Sequence, residues 1–247
     1  MLQSLQSFII AVTFISIIPI PQKYIPVWNN TTLRCFCPML AVTGGIFGVL
    51  WLGFWAVLCE FSGGSVIFRG LLMTLLTLGL TGGLHLDGLM DTCDAVFSCR
   101  DRDTRLRILS DTHAGSFAVM GCVVILLGRT ILFSELLRLN VNPSIIPVYS
   151  RLGMSVLLNN LPFAKTGGLA VMLGSARNRK HNIFFAVMMI LLFMLSKITG
   201  IIFVMSLIFW RHMCVKIFGG ISGDLLGFFV EMSEFFMMLC LVIYDCV

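Results

Sequence analysis

Three stretches almost without charge limit what this chain can fold into. Phe36 to Cys59 contains no charged residue, nor does Gly70 to Leu86, and between Asn182 and Trp210 the only formal charge is Lys197. A bilayer core of about 30 Å is crossed by roughly 20 apolar residues of α-helix. Inside it, every backbone polar group needs a partner within the protein. Runs of this length and purity predict an all-α, polytopic integral membrane protein. Composition agrees: 58% of residues are hydrophobic and 12% are charged, against about 25% charged in soluble domains. The strand-like alternation of an outer-membrane barrel is absent.

Apolar segments fall at Leu5–Ile20, Met39–Leu58, Val66–Leu86, Ser116–Leu137, Ile145–Leu161, Ile183–Trp210 and Leu225–Tyr244. The sixth fits one tilted span or two short ones, so six to eight transmembrane helices are expected. With no repeat and no long polar linker, residues 1–247 read as a single domain. The first segment lacks both a preceding positive charge and a small-residue cleavage site, so it is expected to stay as an anchor. Basic residues cluster in two loops, Arg100, Arg102, Arg105 and Arg107 in one, Arg177, Arg179 and Lys180 in the other. The positive-inside rule turns both loops toward the cytoplasm. Nine cysteines without a Cys-x-x-Cys pair fit buried thiols in a reducing setting. No nucleic-acid partner is expected; the lipid bilayer is, and a homo-oligomer is compatible with the sequence.

Acid is scarce, with 12 Asp and Glu in 247 residues. Yet Asp87, Asp91 and Asp94 fall together, directly after an apolar run. At about 100° per residue, a helix places all three within an arc of about 60°. One Asp at mid-membrane costs about 2.5–3.5 kcal/mol on insertion scales, so three facing lipid would cost on the order of 8–10 kcal/mol. They must face water, protein partners or cations. Converging carboxylates with open positions suit Mg²⁺, which is commonly held by one or two carboxylates, waters and substrate phosphates. The plainer alternative has Asp87 capping a helix after the Gly82-Gly83 turn, with Asp91 and Asp94 paired to the Arg-rich loop. Gly82, Gly83 and Gly88 serve either helix packing or close substrate approach. His85 projects to the opposite side of the helix.

Two further polar clusters sit at segment edges. In the first, Arg105 and Arg107 precede Ser110-Asp111-Thr112-His113-Ala114-Gly115-Ser116, where Asp111 is placed to cap the next helix; a helix N-terminus also favours anions. The second, Gly219-Gly220-Ile221-Ser222-Gly223-Asp224, repeats the design of glycines followed by an acid, with Glu231 and Glu234 on the same side of the following helix. Arg151 interrupts an apolar region, and either reaches the interface or meets a substrate phosphate.

These residues together resemble a known family. Gly82-Gly83-Leu84-His85-Leu86-Asp87-Gly88-Leu89, then Asp91 and Asp94, is similar to the signature of the cobalamin synthases, the adenosylcobinamide-GDP ribazoletransferases. Phe14 through Pro21 resembles the family's N-terminal Phe-x-x-x-x-Pro-x-Pro. Asp111, Gly115 and Phe117 resemble its Asp-Ser-x-x-Gly-x-Phe-Gly. Arg151 falls where a Gly-Arg pair is expected, and Ala164-Lys165 where Ala-Arg is usual. Gly219-Gly220-x-x-Gly223-Asp224-x-x-Gly227, then Glu231 and Glu234, resembles the C-terminal signature. The chain departs from the pattern at Ile17 and His113, which replace arginines, and at Ala95, Ala118 and Ser150, which replace glycines.

The resemblance implies the last assembly step of cobalamin biosynthesis in the bacterial cytoplasmic (inner) membrane. A ribose hydroxyl of α-ribazole, or of its 5′-phosphate, attacks the cobinamide phosphorus of adenosylcobinamide-GDP, and GMP leaves. Mg²⁺ is the implied cofactor. On this reading Asp87, Asp91 and Asp94 hold the metal, and Asp224 completes the metal site or takes the hydroxyl proton. Arg151 steadies the leaving charge. Gly82, Gly83, His85, Gly88, Arg105, Asp111, Gly220, Gly223 and Glu231 line the substrates. Two rivals remain at this point: a membrane cation transporter, since intramembrane acids mark ion pathways, and a CDP-alcohol phosphotransferase-like enzyme. In the latter family Ala-Arg follows Asp-Gly-x-x, where this chain has Asp91-Thr92.

Overall fold

The structure is a computed structural model that describes residues 2–61, 63–165, 167, 169–174 and 176–246, with the backbone alone at 169–171. It is helical throughout. In chain order the helices are α1 (Leu2–Ile15), α2 (Phe36–Glu60), α3 (Val66–Thr81), α4 (Leu84–Phe97), α5 (Arg102–Ile108), α6 (Ser116–Leu139), α7 (Ile146–Asn160), α8 (Leu169–Gly174), α9 (His181–Leu195), α10 (Lys197–Met213) and α11 (Gly223–Asp245). Among the described residues the only β-type pairing is one isolated parallel bridge, Phe163 with Ile221.

Among the described residues, four helices are long and apolar enough to cross a membrane: α2, α6, α11, and α10 continued by its π-helical turn to Phe218. A fifth span exists if α3 and α4 count as one. The expected six to eight spans also counted α1, α7 and α9, which are shorter. The expected span Val66–Leu86 is broken: Gly82 (φ +61°) and Gly83 (φ +79°) turn the chain by 91° between α3 and α4. Left-handed φ is cheap for glycine alone, so the Gly-Gly pair makes an elbow. The expected span Ile183–Trp210 is two helices, α9 and α10, which meet at an extended Ser196. Apolar side chains such as Val49, Leu127, Leu191 and Phe209 are exposed on the outside, where lipid would cover them.

Small residues let the helices approach closely. A Cβ on Gly44 would lie 2.8 Å from the Pro147 carbonyl oxygen, which sets α2 against α7. One on Gly70 would lie 2.5 Å from the Thr130 carbonyl oxygen, which sets α3 against α6. Close backbone contact of this kind is how helices associate where lipid removes the hydrophobic drive.

Inside this bundle lies a four-charge cluster. Arg129 Nη2 of α6 is 3.0 Å from Glu231 Oε2 and 3.0 Å from Glu234 Oε2, both on α11. Arg129 Nη1 donates to Thr77 Oγ1 of α3. Arg151 of α7 pairs through Nη1 with Glu234 Oε1, and Ser150 Oγ donates to the same oxygen at 2.8 Å. The Arg151 guanidinium also lies over the Phe47 ring of α2, 4.3 Å from its centroid. All four charged side chains are buried. Two positive and two negative charges cancel, so the cluster is tolerable in a dry interior only while it stays complete. Removing one member of a buried pair typically costs about 3–5 kcal/mol, because the partner is left uncompensated. Glu234→Ala, which leaves Arg151 without an acid and Arg129 with Glu231 alone, is therefore expected to lower stability by about that amount. Thermal unfolding in detergent reads this; an unchanged midpoint would remove the cluster from the fold's supports.

Candidate active site at the crossing of α4 and α11

The candidate site forms where α4 passes the start of α11. A Cβ on Gly88 would meet the Asp224 carbonyl oxygen at 2.7 Å and its Cα at 2.9 Å. One turn along α11, a Cβ on Gly227 would meet the backbone of His85 at 3.2 Å. Two glycines thus press the α4 backbone onto the first turns of α11. This crossing brings Asp87 and Asp91 of the first acidic motif to Asp224 of the last. The charges of Asp87, Asp224, Asp94 and Asp111 all act on Asp91. Asp87 is exposed, while Asp91, Asp94 and Asp224 are half-buried.

Asp94 has a task of its own. Its Oδ2 accepts from the Gly115 N–H at 2.6 Å and its Oδ1 from the Ala118 N–H at 2.9 Å. Those groups open α6, whose N-cap residue Gly115 has no side chain to cap with. Asp94 therefore caps α6 from a neighbouring helix, a role the sequence reading gave to Asp111. Gly115 must be glycine for this: a Cβ there would sit 2.7 Å from Asp94 Oδ1. Asp111 instead accepts from His113, from the backbone N–H at 3.0 Å and from Nδ1 at 2.7 Å. Those hydrogen bonds hold the Asp111 carboxyl below the usual carboxylate range. Nor does Asp87 cap α4; Gly83 is the N-cap and Asp87 lies in the first turn. Among the described residues, no group of three or more His, Cys, Asp or Glu side chains is gathered as a metal cluster. Asp87 and Asp91 remain uncommitted beside Asp224.

Three expected site residues point elsewhere. Arg151 and Glu231 belong to the buried charge cluster, and His85 is buried against α11. In each case the residue lies on the inward side of its helix, and tertiary packing decides what that side meets. Arg105 sits half-buried on α5. Gly82 and Gly83 line a cavity of about 590 Å³ with Asp87, Ser16 and Ile17. The Ile17 side chain lies on Gly82, where a Cβ would be 2.3 Å from Cγ2. Gly220 packs rather than opens: a Cβ there would be 2.4 Å from the Pro162 carbonyl oxygen. Gly223 lines a second, smaller cavity of about 150 Å³ with Asp224, Ser222 and Lys165.

Two residues the sequence reading passed over build this end of the molecule. Arg102 Nε donates to the Phe218 carbonyl at 2.9 Å and Nη2 to the Ala164 carbonyl at 3.4 Å, so α5 clamps both loops beside Asp224. The loops are tied to each other through Ala164 N–H to Ile221 O and Ile221 N–H to Pro162 O, both 2.8 Å. Arg129 completes the buried cluster. Neither role carries a local signal: Arg102 looked like one of four loop arginines, and Arg129 is a single charge in an apolar run.

Comparison with known proteins follows the same outline. The cobalamin-5-phosphate synthase family matches residues 7–242. The chain belongs to that family. A relative from Geobacillus sp. (strain WCH70), "Adenosylcobinamide-GDP ribazoletransferase", is 32% identical over 92% of this chain and 91% of its own. Proteins of the same name from Desulfitobacterium hafniense (strain Y51) and Acinetobacter baumannii (strain ATCC 17978) are 30% and 31% identical, each over 96% of both chains. No solved structure matches.

The crossing supplies a graded test among glycines. Gly88→Ala puts a methyl into the Asp224 backbone, and Gly227→Ala puts one into a tight but adjustable contact. Gly45→Ala meets nothing within 4 Å. Turnover is expected to fall steeply for Gly88→Ala, mildly for Gly227→Ala and not at all for Gly45→Ala, with all three proteins inserted in membranes. Equal activity of all three would break the link between the crossing and the site.

Proposed function

We propose that this protein is an adenosylcobinamide-GDP ribazoletransferase that joins adenosylcobinamide-GDP to α-ribazole or its 5′-phosphate and releases GMP. The observation that carries the proposal is the union of both acidic motifs at one crossing, in a chain that matches its family almost end to end. Displacement at a pyrophosphate needs an in-line nucleophile and stabilised charge more than covalent help from the protein. Asp224, half-buried at the start of α11, would take the proton as the ribose oxygen bonds to the cobinamide phosphorus. The bond from that phosphorus to the bridging oxygen breaks, and the electron pair leaves with GMP. A cavity of about 590 Å³ opens beside Asp87 and a smaller one beside Asp224.

Mg²⁺ fits this donor set. Several like charges act on Asp91, an arrangement a cation relieves, and hard carboxylate oxygens with room for phosphate are what Mg²⁺ takes. Asp87 and Asp91, four residues apart on one helix face, would hold it beside Asp224, while Asp94 is engaged at the start of α6. The bound ion would neutralise charge on the pyrophosphate. The basic loops lie at the same end of the bundle as the acids, one through Arg102 and α5 and the other through Arg177 on Phe163. By the positive-inside rule that end faces the cytoplasm of the bacterial inner membrane.

Asp91→Asn is expected to cut turnover at least about a hundredfold, with membrane insertion unchanged. Chelation of divalent ions should stop the wild-type enzyme, and Mg²⁺ should restore it. The assay uses membranes with adenosylcobinamide-GDP and α-ribazole and follows cobalamin and GMP together. Full activity of Asp91→Asn would end the metal assignment; uptake of Mg²⁺ into proteoliposomes without GMP would favour a transporter.

A further inference from the structure

Displacement at a pyrophosphate is helped by protein cations that bind its non-bridging oxygens, and the arginine expected in that role is out of reach. Arg151 is buried and paired with Glu234, and Arg129 is buried between Glu231 and Glu234. Arg102 is occupied with two backbone carbonyls. Arg177 stacks on Phe163, 3.6 Å from the ring centroid, on the loop behind the small cavity.

Lys165 is different in each respect. It follows Ala164, whose backbone is fixed on both sides, by Ile221 and by Arg102. The side chain is only half-buried and lines the small cavity with Ser222, Gly223 and Asp224. Its charge acts on Asp224 across that cavity. Its ammonium also donates to Ser110 Oγ, at the mouth of the site beside Asp111. A flexible four-carbon stem with three rotatable donors can keep one contact and give others to an anion.

We infer that Lys165 is the substrate-contacting cation of this site, which binds the non-bridging oxygens of the pyrophosphate next to Asp224. The inference rests on the proposed transferase reading. Lys165 forms no covalent bond: it donates charge-assisted hydrogen bonds to oxygens whose charge grows as the phosphorus–oxygen bond to GMP breaks. In the free enzyme the same side chain shares the small cavity with Asp224. This also gives the loop ties a purpose, since they hold the base of a mobile side chain still.

The competing explanation is structural, with Lys165 merely pinning its loop to Ser110. Three variants separate the two: Lys165→Gln, Lys165→Arg and Ser110→Ala. Each is measured for KM of adenosylcobinamide-GDP, KM of α-ribazole, kcat, inhibition by inorganic pyrophosphate, and thermal midpoint in detergent. The contact predicts that Lys165→Gln loses about 10- to 100-fold in kcat/KM for adenosylcobinamide-GDP. It also predicts weaker pyrophosphate inhibition, an unchanged KM for α-ribazole and an unchanged thermal midpoint. Lys165→Arg keeps most of the activity, and Ser110→Ala resembles wild type. If Ser110→Ala reproduces Lys165→Gln, or if Lys165→Gln keeps the wild-type KM for adenosylcobinamide-GDP and the wild-type pyrophosphate inhibition, the inference is overturned. Wild-type membranes that form no cobalamin would instead overturn the transferase reading itself.

Discussion

The site depends on one close contact, the α4 backbone lying on the first turns of α11 at Gly88 and Gly227. Aspartates on separate helices repel, and nothing in their own chemistry draws Asp87 and Asp91 toward Asp224. The backbones must be forced together by packing, and missing side chains allow that. The 91° elbow at Gly82-Gly83 is the other half of the device. It ends α3 and sends α4 off at a right angle, so that α4 can meet α11 while α3 packs along α6. The glycines of the acidic motif thus have separable tasks: two turn the chain, and one admits a neighbouring helix.

The buried charge cluster steadies the helix that receives this contact. Glu231 and Glu234 tie α11 to Arg129 of α6 and Arg151 of α7, and Arg129 reaches Thr77 of α3. In a medium where lipid competes poorly for polar groups, such ties fix orientation as well as adding energy, for a rotated α11 would leave charges unpaired. The cluster lies further along α11 than Asp224. An anchor deep in the bundle and a glycine contact at its edge hold the same helix at two points, which defines where its first turn stands.

The helical class and the two acidic motifs were legible because they depend on local patterns: charge-free runs, a run of Asp on one helix face, glycines before an acid. The sequence also placed Asp224 as partner to the first motif. Partners across the fold were not legible. Asp94 shares an arc with Asp87 and Asp91, yet it serves α6 through Gly115 and Ala118. Periodicity gives a residue's direction but not its neighbour. Arg151 suggests a site residue because it interrupts an apolar region, and Glu231 because it shares a helix face with Asp224. Here the two are held by Glu234 and Arg129, and the net result is neutrality, which no local window reveals.

The charges therefore divide into two populations with opposite logic. Those in the bundle are compensated by each other, two against two, and a ligand there would disturb a closed account. Those at the crossing are not compensated by each other: Asp87, Asp91 and Asp224 lie together there, with Lys165 as the cation acting on Asp224. Like charges held close by backbone packing raise the free energy of the empty site and lower it when cations arrive. A pyrophosphate brings more negative charge to the same place, so it binds only together with positive charge. The excess of acid over base at the crossing thus favours cations first, and a pyrophosphate would join them only once that positive charge is in place. The half-buried placement of Asp91 and Asp224 at the bundle's edge keeps their carboxylates within reach of solvent and of what it carries.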